Sequence, residues 1–200
     1  MCGIVGYVGN KSVVDILLDG LEQLEYRGYD SSGIAVMCDE DIKVYKAVGK
    51  LQNLRDKLKG HEPEFNNSTM GIGHIRWATH GAPTLLNAHP HTCNCGNLVV
   101  VHNGIIENYK ELRKSLEEAG CIFRSQTDTE TVAHLVARKY AECKDLTEAV
   151  RLASLEIEGA YALCVMHNDC KNTLVITKRN AQLLIGIGEG EYFAASDVPA

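Results

Sequence analysis

The stretch Met1-Cys2-Gly3-Ile4-Val5-Gly6-Tyr7-Val8-Gly9 decides how the rest of the chain is read. Gly3 to Gly9 mixes small residues with β-branched and aromatic ones, the pattern of a buried strand ending at a glycine turn. A cysteine at the start of such a strand is rigidly held. Initiator methionines are commonly removed before a residue as small as Cys2, which leaves a cysteine carrying its own free α-amine. A thiol nucleophile and a weak base then share one residue. The α-amine titrates at roughly 7.7–8.0, so a usable neutral fraction exists near pH 7, whereas a lysine at about 10.4 is almost wholly protonated. The plain alternative is that Cys2 follows the start by accident, and this stretch alone does not choose between the two.

The bulk numbers frame that reading. Two hundred residues with 45% apolar and 23% charged side chains fit one globular domain with a sizeable core. A net charge of −6 without a Lys/Arg run argues against a nucleic-acid face and against an anionic membrane surface. The apolar runs are too short to span a bilayer. Eight cysteines are scattered along a chain that opens with no export signal, which predicts reduced thiols in the cytoplasm. Four prolines and no Ser/Gly-rich linker give no internal boundary.

Ser12 to Glu25 reads as a helix, with Val14, Leu17, Leu18 and Leu21 on one stripe, Ser12 and Asp15 as an N-cap pair, and a left-handed turn at Gly28. Gly33 to Met37 and Ile42 to Val48 read as a hairpin, and Leu51 to Leu58 as a short helix. Strands are expected at Met70 to Thr79 and Asn97 to His102, with an irregular loop from Gly81 to Gly96 between them. Ile105 to Ala119 reads as one amphipathic helix, and Thr127-Asp128-Thr129-Glu130 as a capping box ahead of another. A helix after Asp145 and strand runs at Tyr161–Met166, Thr173–Thr177, Leu183–Ile187 and Tyr192–Ala195 close the chain, their short turns predicting antiparallel pairing. Strands at both ends with helices between them predict an α+β layered sandwich.

Several residues carry candidate chemistry. Arg76 and His80 flank Trp77 at a strand's end, where a guanidinium fork can take a carboxylate; a surface arginine beside a packed tryptophan reads equally well. Asn103-Gly104 offers an amide donor and a closely approaching backbone N–H, suited to an oxyanion, or else a plain Asn-Gly turn. Asp128 at a helix start can anchor an ammonium group or merely complement the macrodipole. His89-Pro90-His91-Thr92-Cys93-Asn94-Cys95 holds two histidines and two cysteines, but within seven residues, where structural zinc sites usually join separated pairs.

Taken together, six segments resemble one family in order and spacing: Met1 to Gly6, Leu24 to Ser31, Arg76 to Gly81, Asn87 to His91, Val101 to Asn108 and Thr127 to Glu130. The chain is similar over its whole length to the class II glutamine amidotransferases, and within them to the glutaminase domains of the glutamine–fructose-6-phosphate aminotransferases. The resemblance implies an N-terminal-nucleophile hydrolase fold, a four-layer αββα sandwich of two antiparallel sheets. It implies hydrolysis of the L-glutamine side-chain amide through a Cys2 thioester, with Asn103 and the Gly104 N–H holding the oxyanion. It implies Arg76 on the substrate carboxylate, Asp128 on its ammonium, and Trp77, Thr79 and His80 in a loop closing over glutamine. Arg27 and Gly28 would support the nucleophile's surroundings. It calls for no cofactor and no metal, and for L-glutamine and fused sugar-isomerase domains as partners, with a homodimer compatible.

Residues 1–200 would then be the glutaminase domain, shortened at its C-terminus and lacking the isomerase domains that make ammonia productive. This sequence departs from the family pattern at Ser32, at Cys93-Asn94-Cys95-Gly96 and at Ala181-Gln182. Two rivals stand beside this reading: a phosphoribosyl-pyrophosphate-type amidotransferase domain, and a non-catalytic metal-binding module using the His/Cys loop. Zinc analysis and a glutaminase assay separate the last from the first two.

Overall fold

A computed structural model describes residues 2–39, 41–77 and 81–200. Strand β1 (Gly3–Val8) lies between β4 (Met70–Arg76) and β10 (Glu191–Ala195), antiparallel to both. With β2 (Ser31–Met37), β3 (Ile42–Val48) and β9 (Leu184–Gly188) they form a six-stranded sheet in the order β3-β2-β4-β1-β10-β9. The second sheet has the order β5-β6-β7-β8, from His91–Thr92, Leu98–Ile106, Gly159–His167 and Val175–Arg179. Every pairing among the described strands is antiparallel.

Side-chain alternation sorts the strand residues into three apolar layers. Val5 and Tyr7 pack outward with helices α1 (Val13–Gln23) and α2 (Leu51–Leu58). Ile4, one step out of phase, packs inward with Ile72, Val99, Val101 and Cys164 between the sheets. On β6, Leu98 and Val100 pack outward against helices α4 (Thr129–Cys143) and α5 (Leu146–Glu156). Both faces of the central strands are therefore covered, which is why Leu98-Val99-Val100-Val101 reads as an unbroken apolar run rather than an alternating one. The architecture is the expected αββα sandwich.

Four local expectations need correction. Residues 105 and 106 extend β6, and helix α3 starts only at Tyr109 (Tyr109–Glu118), because Ile105 and Ile106 pair with Ala160 and Gly159 of β7. Ser12 sits at the head of α1 without a side-chain cap bond. Gly28 is extended, with φ 166°, not left-handed. Thr127 does not cap α4: its hydroxyl meets His91 and Ser125, and the Glu130 carboxylate takes the N–H groups of Arg124 and Ser125 instead.

One polar seam crosses this apolar interior. His74 of β4 stacks on His89 with ring centroids 4.0 Å apart, and His89 meets His91 edge-on at 4.7 Å. His89 Nε2 and His102 Nδ1 both lie 2.9 Å from the Thr129 hydroxyl, and His91 Nε2 lies 3.0 Å from that of Thr127. Burial holds all four imidazoles below their ordinary range, His74 down to about 3. Above about pH 6.5 these groups are neutral folded or unfolded, and the seam contributes fully. As pH falls toward 3 the unfolded chain takes up protons that the folded seam refuses, so stability drops. Each such histidine steepens that fall while the pH lies between its folded and its unfolded pKa. Urea unfolding between pH 6.5 and 4.5, above the main carboxylate range, should therefore show a steep fall in midpoint. A flat profile there would show that the seam accepts protons without unfolding.

Candidate active site

Cys2 stands at the head of β1, with the same parity as Ile4, so its thiol belongs to the space between the sheets. Its Sγ accepts the backbone N–H of Trp77 at 3.3 Å and lies 3.5 Å from the Trp77 carbonyl oxygen. Burial pushes the thiol pKa up, while the Trp77 N–H and the Arg76 charge pull against that.

Trp77 can reach Cys2 because Gly28 lets the chain through. A Cβ on Gly28 would stand 2.9 Å from both Arg76 O and Trp77 N. The neighbouring Arg27 is fixed by Asp197 at 2.9 Å and by the Ser196 carbonyl at 3.2 Å, and the Tyr26 hydroxyl donates to the same Asp197 carboxylate. Ser196 in turn binds β1: its N–H donates to Ile4 O and its hydroxyl accepts from Ile4 N, both at 3.0 Å. Residues from both ends of the sequence thus brace the cysteine.

Asn103 approaches from the opposite sheet. Its Nδ2 donates to the Cys2 carbonyl at 3.2 Å. Its Oδ1 lies 3.1 Å from His74 Nε2, which is also 2.9 Å from the His102 carbonyl. Both partners of that nitrogen are acceptors, so Nε2 carries the proton of the neutral ring and fixes which way the Asn103 amide faces. Gly104 follows with φ +123°, and a Cβ there would meet Ala160 O at 2.1 Å; only glycine fits.

Cys2, Arg27, Trp77, Asn103, Gly104 and Gln182 wall one cavity of about 540 Å³. A small cavity of about 20 Å³ adjoins them and is lined by Cys2, Trp77, Gly104, Arg76 and Asp128. Arg76 is 4% exposed, with its guanidinium donating to the carbonyls of Gly81 and Ala82 at 3.3 and 3.4 Å. Asp128 is 7% exposed and makes no side-chain capping bond to the helix that it heads; its Oδ2 accepts the Ile106 N–H at 2.9 Å and its Oδ1 the Thr129 hydroxyl at 3.4 Å. A thiol, amide and backbone donors, one cation and one anion thus meet around two cavities that share Cys2, Trp77 and Gly104.

The structure brings together Cys2, Arg27, Gly28, Arg76, Trp77, Asn103, Gly104 and Asp128 from the sequence analysis. Thr79 and His80 lie outside the described residues. His74 and Gln182 were not singled out from sequence. His74 becomes visible only once its pairing with Ile4 places both side chains between the sheets. Gln182 stood out only as a departure from pattern. Among the described residues no group of three His, Cys, Asp or Glu side chains is placed to hold a metal ion. No helix among them is long and apolar enough to cross a membrane.

A family model described as a glutamine amidotransferase domain matches residues 84–199. The glutamine–fructose-6-phosphate aminotransferase (isomerizing) of Streptomyces coelicolor is 53% identical over 200 residues, all of this chain and 32% of that protein. The enzyme of the same name from Thermus thermophilus is 54% identical over the same coverage. The chain thus spans about a third of the length of these relatives. Among solved structures, the Bacillus subtilis glutamine phosphoribosylpyrophosphate amidotransferase, complexed with ADP and GMP, superimposes with a TM-score of 0.79. It shares 28% identity, and the match covers 98% of this chain and 42% of that one. The sequence matches, the two-sheet fold and the cysteine at the head of its central strand agree: the chain belongs to the glutamine amidotransferase family, in its class II, N-terminal-nucleophile form.

Proposed function

We propose that this chain hydrolyses the side-chain amide of L-glutamine to L-glutamate and ammonia through a thioester on Cys2. The observation that carries the reading is the meeting of Cys2 with Asn103-Gly104 across the sheets, beside a buried pair of opposite charges. Glutamine is a zwitterion with a neutral amide, and its complement is one cation, one anion and a donor pair.

Removal of Met1 frees the Cys2 α-amine, which takes the thiol proton as Sγ attacks the amide carbon. Asn103 Nδ2 and the Gly104 N–H receive the oxyanion of the tetrahedral intermediate. The nitrogen leaves as ammonia with the proton returned by the amine, and water then opens the thioester. Arg76 takes the substrate carboxylate, in which its guanidinium matches two oxygens, and Asp128 takes the ammonium. Trp77 walls the cavity, while Arg27 and Gly28 keep its backbone against the nucleophile. The names of the relatives extend the proposal: in a longer protein, sugar-isomerase domains would pass this ammonia to fructose 6-phosphate.

Three outcomes test the reading. A diazoketone analogue of glutamine should modify Cys2 alone among the eight cysteines, and only in chains whose intact mass shows Met1 removed; modification centred on Cys93 or Cys95 refutes it. Arg76→Ala and Asp128→Asn should each raise KM for glutamine about 10- to 150-fold, the worth of one charge-assisted hydrogen bond. If Arg76→Ala lost as much activity on the α-amide of glutamine as on glutamine itself, Arg76 would not be the carboxylate's partner. Asn103→Ala should lower kcat by about 10²–10³ with KM little changed. A raised KM at intact kcat would make Asn103 a binding residue and leave the oxyanion to Gly104.

A further inference from the structure

The turn that joins β5 to β6 carries two thiols for which the amide chemistry has no use. Its backbone is closed tightly: Cys93 N donates to Leu98 O, and Gly96 N to Cys93 O, both at 3.1 Å. The residue between the thiols is clamped as well. Asn94 Nδ2 donates to Ile122 O at 2.7 Å, and Asn94 Oδ1 accepts from Ile122 N at 2.9 Å. Held from both sides, Cys93 Sγ and Cys95 Sγ face one another at 3.0 Å. Cys93 is buried within the outer apolar layer and Cys95 is exposed. Other cysteines meet oxygens instead: Cys38 the Glu64 carbonyl at 3.1 Å, Cys143 that of Asp145 at 3.2 Å.

We propose that Cys93 and Cys95 form a dithiol–disulfide site that takes a low-molecular-weight disulfide as its oxidant. Exposure sets the order of events. The Cys95 thiolate attacks one sulfur of the oxidant RSSR, forming a mixed disulfide and expelling the first thiolate. The Cys93 thiolate then attacks Cys95 Sγ, closes the intrachain bond and expels the second. Two electrons pass from the cysteine sulfurs to the oxidant, and the two thiol protons end on two molecules of RSH. The sulfurs need to close from 3.0 Å to about 2.05 Å. Burial and the neighbouring thiol raise the Cys93 pKa, so the second step quickens as pH rises. A cavity of about 280 Å³ reaches Cys93 and Asn94, and its charged lining residues are Lys46, Lys57, Arg124 and Glu130. On the Cys93 side of the pair three cationic side chains stand against one carboxylate, which makes the negatively charged oxidised glutathione the probe of choice.

The full chain should be equilibrated with graded mixtures of oxidised and reduced glutathione, quenched in acid, alkylated under denaturing conditions and mapped by peptide mass. The peptide holding both cysteines should lose both reactive thiols in a single transition and become lighter by two hydrogens. That transition should occur at ratios where Cys38 and Cys143 are still alkylated. Cys95→Ser should abolish it and leave Cys93 alkylated. The proposal is overturned if both thiols alkylate at every ratio. It is equally overturned if Cys95 carries glutathione while Cys93 stays free, since the pair then does not close. None of these readouts depends on glutaminase activity.

Discussion

Everything in this molecule hangs on β1 being enclosed on all four sides. Its backbone is paired on one edge with β4 and on the other with β10. One face is covered by helix α1 and the other by the second sheet. A strand held this way has no slack along its length, because a slip of one residue would turn every side chain to the wrong layer. Cys2 inherits that fixity. A thiol on a loop would need its position secured by other means; here the register of β1 places it, and the bonds of Ser196 to Ile4 and of Arg27 to Asp197 brace it.

Around that fixed point, backbone proximity and neutral hydrogen bonding shape the site. Gly28 admits the Arg76–Trp77 peptide to the sulfur, and Gly104 brings β6 against Ala160. The Asn103 amide is turned by a neutral imidazole, not a charged one. Keeping the His74–His89–His91–His102 seam uncharged leaves Arg76 and Asp128 as the charges that border the small cavity. In a medium of low dielectric constant, a protonated imidazole at that depth would compete with Arg76 for any carboxylate. The burial that costs these histidines their protons therefore keeps the electrostatics of the site simple.

Much of this was legible in the sequence, and the limits were physical. Helix α1 announces itself through an apolar stripe at helical spacing, and strand β1 through its run of small, β-branched and aromatic residues, because both of its faces are buried. Five of the six motif segments carry the ten candidate site residues, and eight of these converge in three dimensions. What misled was local. Ile105 and Ile106 sit at helical spacing with Tyr109 and Leu112, yet pairing with β7 overrides that propensity. Thr127 and Glu130 have the spacing of a capping box, but each finds a partner outside the helix. Gly28 looked like a turn residue and is extended; its purpose is room. His74 carried no signal at all, since its role depends on which strand lies across from it.

The pairing of β1 with β10 also sets an order of events as the protein is made. Val5 to Val8 lie beside Ala195 to Tyr192, and Ile4 bonds to Ser196, 192 positions further along. At ribosomal speeds of about 5–20 residues per second, β1 waits roughly 10–40 s for its second neighbour to be synthesised. During that interval β1 lacks one of its two neighbouring strands, and Cys2 lacks the Ser196 and Asp197 contacts that brace its surroundings. Closing so long a loop is slow as well. Cys2 is thus synthesised well before β10 and is fully braced only after it.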